Sequence, residues 1–359
     1  MNDTTYHTLA KVLDHLPNGF PATGKGLEIK ILKELFTEPE ADLCCDLRLT
    51  FETANQIADR TLRSKAVLED TLIQMWKNGL IFSIDLGGIK KFKILPWMWG
   101  IYEFQINRIN EKTAALFNEY FHYFGPQFFS NKPQYPMTIP VEKTIPVNHE
   151  ALPYETVSSL IEAGVDFAVN ACMCRKEAAL LGNPCDKPSE VCLGIAPLPD
   201  FFKTSLIWGR RISKNEAYQV LKASEEAGLV HVTSNIQRGH SYICNCCNCC
   251  CNMLKSINMF GIQHAFNSNF YAKIDSATCC SCGICSSERC QVNAIKVAEA
   301  SNQIIAERCI GCGLCVTTCP TGAATLVRKD IHDIIPPPKY ESKWFKERGN
   351  FRQSNVNTK

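Results

Sequence analysis

The stretch TCCSCGICSSERCQVNAI occupies residues 278–295, and RCIGCGLCVTTCPTGAA occupies residues 308–324 with the same design. The first contains Cys279, Cys282, Cys285 and Cys290, and the second contains Cys309, Cys312, Cys315 and Cys319. The two copies begin thirty positions apart. In each copy a short loop can wrap three thiolates around one face of a cluster, whereas a zinc ribbon would show two separate CxxC pairs. The repeat therefore predicts two [4Fe–4S] clusters.

The rest of the composition is that of an ordinary globular protein. The chain has 359 residues, of which 45% are hydrophobic and 21% charged, and its formal net charge is +2. This balance excludes a disordered chain, and bulk charge indicates neither a nucleic-acid nor a membrane partner. The first residues lack a secretory signal pattern, and nowhere do 18 apolar residues run together. We therefore expect a cytoplasmic protein without a transmembrane segment.

The distribution of the 21 cysteines is the abnormal feature of the sequence. Two stand at Cys44 and Cys45, none follows for 126 residues, and the others form groups of four, six and nine. Closely spaced cysteines cannot pair with one another as disulfides without strain, but they suit metal ligation. The pattern favours a reducing cytoplasm such as that of an anaerobe. Cys44 and Cys45 are expected to be buried at the end of a helix.

The C-terminal repeat resembles the bacterial two-cluster ferredoxins, in which the last cysteine of each run serves the other cluster. The resemblance implies one cluster held by Cys279, Cys282, Cys285 and Cys319, and another held by Cys309, Cys312, Cys315 and Cys290. The sequence departs from the family pattern in two ways. Four residues, rather than three, separate Cys285 from Cys290, and Gln291 replaces the usual proline. Cys280 is a spare cysteine.

Two further groups of cysteines lie in the middle of the chain. The first, in ACMCRKEAALLGNPCDKPSEVCLGI, consists of Cys172, Cys174, Cys185 and Cys192; the second, in ICNCCNCCCNML, consists of Cys244, Cys246, Cys247, Cys249, Cys250 and Cys251. Neighbouring side chains cannot all face one point, so the six of the second group cannot all ligate one cluster. Either each group holds its own cluster, or loops from both groups share a single site. We expect one or two further iron–sulfur clusters here, with zinc or free cysteines as the alternatives.

The fold class expected is α+β and multidomain, with five regions. Residues 1–100 read as an N-terminal helix and a winged-helix-like domain, whose second helix begins at Thr53 and whose hairpin turns at Gly87–Gly88. Residues 101–150 form an aromatic- and proline-rich connection, whose aromatic side chains are expected mostly in the core and whose proline-rich stretch is expected to run over the surface. Residues 151–270 predict a helical, cysteine-rich middle domain, in which a helix over residues 155–169 would deliver Cys172 and Cys174 at its end and Arg175 could neutralise cluster charge. Residues 271–328 form the dicluster ferredoxin domain, and residues 329–359 a loosely held polar tail.

The whole chain also resembles a group of iron–sulfur proteins of anaerobic bacteria that combine a winged helix with a ferredoxin domain. Four stretches carry this resemblance: LDHLPNGFPATGKGLEIKILKELF (13–36), GIYEFQINR (100–108), CMCRKEAALLGNPCDKPSEVC (172–192) and CNCCNCCC (244–251). The resemblance implies no particular substrate. It implies delivery of electrons to or from a larger oxidoreductase.

These observations predict an electron-transfer protein that relays single electrons between redox protein partners. No catalytic residue is predicted, because no nucleophile–base constellation and no dinucleotide-binding motif is present. The main alternative is a redox-sensing, DNA-binding regulator. The helix expected over residues 65–78 offers few basic side chains for that role, although the hairpin carries Lys90, Lys91 and Lys93. A third alternative is an enzyme whose middle cluster reduces a substrate directly.

Overall fold

The computed structural model describes residues 3–146, 151–203 and 208–356 and shows a mixed α+β protein, as the sequence predicted. The N-terminal region contains the helices α1 (Asp3–His15), α2 (Leu27–Leu35), α3 (Glu38–Cys45), α4 (Ala54–Thr61) and α5 (Lys65–Lys77), and the strands β1 (Glu52–Thr53), β2 (Ile81–Leu86) and β3 (Ile89–Ile94). The three strands form an antiparallel sheet in the order β1-β3-β2.

Local sequence signals explain the boundaries of these elements. Thr53 precedes α4 and forms a capping box with Gln56, which satisfies two free N–H groups at the start of the helix. The β2–β3 hairpin turns at Gly87 and Gly88, whose φ values of 66° and 85° favour glycine over any other residue. The predicted second helix and hairpin are therefore present at the expected residues.

The aromatic segment forms the centre of the core. It contains the short helix α6 (Tyr102–Phe104) and the long helix α7 (Glu111–Ser130), which Asn110 caps through a hydrogen bond from the Thr113 N–H. Phe117, Tyr120 and Phe124 on α7 are each no more than 2% exposed. The expectation that most of these aromatic side chains belong to the core is confirmed.

The proline-rich part of the connection is not a surface loop, contrary to expectation. Residues 136–139 form the strand β4 (Pro136–Ile139), all four residues of which are buried. The strand pairs with the eighth strand of the chain, residues 230–234, at the edge of a large sheet. An edge strand tolerates proline at its first residue because one side of it needs no N–H donors.

The middle region is built on a sheet, so the prediction of a helical domain is wrong. Its strands are β5 (Asp166–Ala171), β6 (Glu190–Ala196), β7 (Arg210–Ile212), β8 (Val230–Ser234) and β9 (Tyr242–Cys246), and its helices are α8 (Val157–Glu162), α9 (Met173–Leu180), α10 (Lys214–Glu226) and α11 (Asn252–Asn258). With β4 the strands form an antiparallel sheet of order β4-β8-β9-β6-β5-β7.

The prediction was wrong because of Gly164. This glycine interrupts the helical pattern that was expected to continue to Val169. Helix α8 stops at Glu162, and β5 begins at Asp166. A Cβ atom on Gly164 would lie 2.6 Å from Ile195 Cγ2, so the chain packs too closely against β6 for any larger residue. A glycine that both breaks a helix and permits close packing favours the change to a strand.

The C-terminal repeat is enclosed by a strand pair. The strands are β10 (Phe270–Ile274), β11 (Ile295–Lys296), β12 (Gln303–Ile304) and β13 (Ala324–Arg328), with β10 antiparallel to β13 and β11 antiparallel to β12. Two glycines allow the second cysteine loop to pack closely. A Cβ atom would lie 2.2 Å from the Phe270 carbonyl oxygen at Gly311, and 2.3 Å from Thr144 Oγ1 at Gly313.

The predicted loose tail is instead an integral helix, α12 (Glu341–Val356). Trp344 and Arg348 are 1% and 0% exposed, and the Trp344 indole N–H donates to the Gln134 carbonyl at 2.9 Å. Arg348 donates to the carbonyl of Pro133 at 2.9 Å, and also to those of Phe128 and Asn131. The sequence did not predict this helix, because its apolar residues do not follow a helical stripe.

One large core joins the N-terminal helices, α7, the cysteine-rich part of the middle sheet and α12. Its buried residues run from Tyr6 in α1 to Trp344 in α12. None of the helices in the described part of the chain is both long and apolar enough to span a bilayer.

Candidate iron–sulfur sites

The first candidate site, called the outer ferredoxin site, consists of Cys279, Cys282, Cys285 and Cys319. These four cysteines line one small pocket at the end of the β10–β13 pair. The Asn302 side-chain amide donates to Cys285 Sγ at 3.3 Å, and the Ala324 N–H donates to Cys319 Sγ at 3.4 Å. Backbone N–H groups of Asn302 and Ser281 lower the pKa of Cys279. Cys282 is exposed, so this site faces solvent.

The second candidate site, called the inner ferredoxin site, consists of Cys290, Cys309, Cys312 and Cys315. The N–H groups of Ala294 and Ala272 donate to Cys290 Sγ at 3.1 Å and to Cys309 Sγ at 3.3 Å. Burial, together with the neighbouring thiols, raises the pKa of Cys312 to about 12 and that of Cys315 well above its usual value. None of these four thiols is exposed to the extent of Cys282.

The extra residue between Cys285 and Cys290 forms a wide π-helical turn over Cys285–Arg289. This turn carries Arg289 into a buried position, where its guanidinium donates to the carbonyls of Glu225 at 2.9 Å and Glu226 at 3.1 Å, at the end of α10. It also donates to the Leu314 carbonyl at 3.3 Å. The departure from the family pattern therefore anchors the ferredoxin repeat to the middle sheet.

The second departure, Gln291, makes a contact that proline could not make. Its side-chain oxygen accepts the N–H of Asn248 at 2.9 Å, in the middle of the CNCCNCCC stretch. Its backbone carbonyl accepts a hydrogen bond from the Asn258 side chain at 2.9 Å. The residue after Cys290 thus connects the inner ferredoxin site directly to the second group of middle cysteines.

The middle cysteines form two sites, and the first, called the four-thiol site, consists of Cys185, Cys247, Cys249 and Cys250. All four Sγ atoms lie within 4.8 Å of one another. The Cys249 Sγ lies 3.4 Å from each of the other three. Hydrogen bonding from Cys250 lowers the pKa of Cys247 to about 5, so at least one thiolate forms readily. Four converging thiols suit a [4Fe–4S] cluster and equally suit Zn²⁺.

The second, called the six-thiol site, consists of Cys172, Cys174, Cys192, Cys244, Cys246 and Cys251. Their thiols form a chain of hydrogen bonds, in which Cys174 contacts Cys172 and Cys251, and Cys244 contacts Cys192 and Cys246. These contacts lower the pKa of Cys244 to about 5 and that of Cys174 well below its usual value. Six thiols exceed the four that one [4Fe–4S] cluster uses.

The two sites divide both sequence groups, which differs from both arrangements considered above. Cys185 from the first group joins three cysteines of the second, while the remaining three of each group form the six-thiol site. Consecutive residues therefore serve different sites: Cys246 and Cys247 belong to different sites, as do Cys250 and Cys251. The expected helix does not deliver Cys172 and Cys174, which follow β5 and begin α9.

Arg175 is the main positive charge close to these thiols. It is 4% exposed, and its guanidinium donates to the Pro188 carbonyl at 2.9 Å and the Asn245 carbonyl at 3.1 Å. Burial opposes its charge, but the thiols of Cys172 and Cys247 raise its pKa above the usual value. Because these two thiols belong to different sites, one guanidinium offsets negative charge at both.

The side chains of Tyr102, Glu177 and Asn252 form a polar group beside the six-thiol site, which the sequence did not predict. The Tyr102 hydroxyl donates to Glu177 and accepts a hydrogen bond from the Asn252 side chain at 3.0 Å. Its oxygen lies 3.9 Å from Cys174 Sγ. Burial raises the pKa of Glu177 to about 7. The sequence did contain a signal for this polar group. Tyr102 lies in GIYEFQINR and Glu177 lies in CMCRKE, and both segments belong to the stretches that carry the whole-chain resemblance.

Two other cysteines lie apart from these sites. Cys44 is fully buried in the last turn of α3, and Cys45 donates to the Ala41 carbonyl at 3.2 Å. Burial raises the pKa of Cys45 to about 11. The structure therefore places this pair at a helix end, as expected.

Comparison with known families supports the ferredoxin part of this description. Residues 303–325 match a family described as the 4Fe-4S binding domain. The matched segment contains Cys309, Cys312, Cys315 and Cys319, the second run of the repeat. The protein therefore carries a ferredoxin-type iron–sulfur domain, and this domain and the cysteine clusters support a role in electron transfer. No curated protein matches the chain.

Proposed function

We propose that the chain relays single electrons between a redox partner and a larger oxidoreductase, through the two ferredoxin sites and the four-thiol site. The observation that carries this proposal is the hydrogen bond between Gln291 and Asn248. It joins the residue after Cys290, a ligand of the inner ferredoxin site, to the loop that holds three thiols of the four-thiol site. A [4Fe–4S] cluster at each of these sites would supply one-electron redox chemistry when bound.

The exposed and enclosed sites define a path for electrons through the molecule. The outer ferredoxin site has the exposed Cys282, so a partner protein can approach it closely. The inner ferredoxin site is enclosed by the β10 strand and by the segment that contains Thr144. The four-thiol site follows through Asn248, and the six-thiol site lies one residue further along the same loop. An electron entering at the outer site would thus pass through the enclosed inner site to the four-thiol site, where the exposed Cys249 lets a second partner approach.

The protein contributes rigid cages and N–H donors. Each ferredoxin site receives hydrogen bonds to two of its sulfurs, from Asn302 and Ala324 at one site and from Ala272 and Ala294 at the other. Donors aimed at sulfur stabilise the more negative, reduced state of a cluster and so raise its potential. Arg289 fixes the repeat against α10, which limits rearrangement when the charge changes.

A DNA-binding regulator is the second candidate, and one observation favours it: the order β1, α4, α5 and the β2–β3 hairpin is consistent with a winged helix. The charges of the hairpin favour it less. Lys90 lies 3.4 Å from Asp85 Oδ2, and Lys93 lies 3.8 Å from Glu341 Oε2. Two of the three hairpin lysines are therefore paired with acids. Salt-sensitive retention of the protein on immobilised duplex DNA would support the regulator instead.

The relay is tested by counting the electrons that the anaerobically purified protein accepts from a low-potential reductant. We expect about three or more per chain in the wild type, since each [4Fe–4S] cluster accepts one. The variant Cys249→Ala should accept about one fewer. Cys280→Ala, which removes an exposed spare thiol, is the matched control and should accept as many as the wild type. An unchanged electron count in Cys249→Ala would contradict the proposal.

A further inference from the structure

The six-thiol site lines a cavity of about 340 Å³ that extends well beyond the thiols. Its lining reaches the hairpin strand β3 through Lys93 and helix α12 through Glu341 and Phe345. The volume lies at the lower end of the range of small-molecule sites, roughly 300–1,000 Å³. A cluster held by the six thiols would occupy only the thiol end of the cavity, so the part that extends beyond them calls for another explanation.

The part of the cavity away from the thiols is largely aromatic. Trp99 stacks on Tyr135 with ring centroids 3.9 Å apart, and Trp208 contacts the edges of Phe104 and Phe202 at 5.3 and 5.5 Å. Aromatic surfaces favour flat, apolar ligands, because they offer both contact area and ring-to-ring geometry.

The Trp208 indole is among the polar groups of this lining that lack a partner in the described part of the chain. The indole N–H of Trp208 is buried, and no acceptor for it lies among the described residues. Buried N–H groups are almost always hydrogen-bonded, so an unsatisfied one at a cavity wall indicates an acceptor on the occupant. A carbonyl or ether oxygen is the simplest such acceptor.

The charges of the cavity argue for an uncharged occupant. Apart from the thiols of the six-thiol site, the charged residues that line it within the described ranges are Lys93, Glu103 and Glu341. Lys93 is paired with Glu341 at 3.8 Å, and Glu103 accepts the Gly100 N–H at 2.8 Å. No described cation in the lining is therefore free to bind a carboxylate or a phosphate.

We propose that this cavity binds an uncharged, planar aromatic molecule beside the six-thiol site, with a hydrogen-bond acceptor held by Trp208. This goes beyond the relay proposed above, because it gives the chain a small-molecule site of its own. It does not rest on the relay, because the relay runs through the two ferredoxin sites and the four-thiol site and the cavity adjoins the six-thiol site. Binding itself depends on the cavity and not on the number of electrons stored.

The test uses 1-indanone, a planar aromatic ketone, and indane, the same skeleton without the carbonyl, as probes of the anaerobic holoprotein. Calorimetry should show one 1-indanone bound per chain, with indane about tenfold weaker because it lacks the acceptor. Trp208→Phe should weaken 1-indanone about tenfold and leave indane unchanged. Trp76→Phe is the matched control, because Trp76 also has an unpartnered buried N–H but does not line the cavity.

A second variant tests the cavity independently of the hydrogen bond. Ala196 lines the cavity and is 2% exposed, so Ala196→Leu should abolish binding of both probes. Equal affinity of the wild type and Trp208→Phe for 1-indanone, or no binding at all, would overturn this proposal. Because the electron count is measured without probe, such a failure leaves the relay standing.

Discussion

At the scale of single residues, the main finding is that neighbouring cysteines serve different sites. In the stretch 244–251, Cys246 and Cys251 line the cavity, whereas Cys247 and Cys250 join Cys185. Alternation at the end of β9 separates Cys246 from Cys247, and the turn over residues 248–250 redirects the chain, so the dense run of cysteines divides between two sites. This division explains why six cysteines in eight positions are not redundant.

Gln291 is the residue whose substitution should affect the four-thiol site from outside it. The change Gln291→Ala removes the acceptor for the Asn248 N–H and leaves that part-buried group without its partner. We expect iron to leave the four-thiol site roughly five to ten times faster in the presence of a chelator, corresponding to about 1 kcal/mol. Gln263→Ala, at an exposed position, should release iron at the wild-type rate. Equal rates in both variants would show that the contact does not hold the loop.

His240 should make stability depend on pH. Burial lowers its folded-state pKa to about 4, below the value near 6.5 of an unfolded histidine. The unfolded chain therefore binds a proton that the folded chain does not, and stability falls as the pH decreases from about 6.5 to 4. The loss from this residue is at most about 3 kcal/mol.

The variant His240→Gln should lose less thermal stability than the wild type when the pH is changed from 7.5 to 5. The buried His231, whose pKa is also lowered, keeps part of the dependence in the variant. His7→Gln, at an exposed position in α1, is the control and should follow the wild type. If His240→Gln lost as much thermal stability as the wild type between pH 7.5 and pH 5, protonation of His240 would not destabilise the folded protein.

At the scale of elements, α12 and the wide turn at Cys285–Arg289 hold the molecule together. Both lie where the sequence deviates from a simple pattern. Helix α12 has no apolar stripe, but it buries Trp344 and Arg348 against backbone carbonyls of the segment 128–134. The wide turn breaks the family spacing, and it delivers Arg289 to the end of α10.

The change Trp344→Ala should destabilise the protein by about 3–5 kcal/mol, because it leaves a cavity in the main core and an unpaired Gln134 carbonyl. Thermal unfolding of the anaerobic protein measures the loss. Lys346→Ala, two residues away on the exposed face of the same helix, should unfold like the wild type. A small effect of Trp344→Ala would restore the view of residues 329–359 as a loosely held tail.

Arg289→Ala should lower the unfolding temperature clearly more than Lys222→Ala, which removes an exposed cation from α10. The reason is that three carbonyls, the buried one of Leu314 and the part-buried ones of Glu225 and Glu226, would lose their charged donor. Arg289→Lys should recover only part of the stability, since an ammonium group cannot reproduce the planar fork of the guanidinium. Full recovery with lysine would indicate that charge alone, and not geometry, is what the turn supplies.

At the scale of the whole molecule, the sequence predicted the elements with strong local signals and missed those that depend on tertiary contacts. The cap at Thr53 and the turn at Gly87–Gly88 are local, and both appear where expected. The sheet of the middle region is different. β4 is separated from β8 by about ninety residues, and no local pattern specifies such a pairing.

The candidate sites follow the same division. The repeat spacing indicated the ferredoxin sites, because their cysteines lie close in sequence. The partition of the ten middle cysteines could not be predicted, because Cys185 reaches the four-thiol site only through the loop between α9 and β6. The cavity could not be predicted either, since its lining comes from β3, β6, β9 and α12.

The central claim is that the middle cysteines bind iron–sulfur clusters in addition to those of the ferredoxin repeat. The most direct test is to measure iron, acid-labile sulfide and zinc per chain after anaerobic purification, with electron paramagnetic resonance (EPR) spectra of the reduced protein. The account predicts about twelve or more irons, matching sulfide, and no zinc. About eight irons together with one zinc per chain would contradict it, because the four-thiol site would then hold a structural metal that carries no electrons.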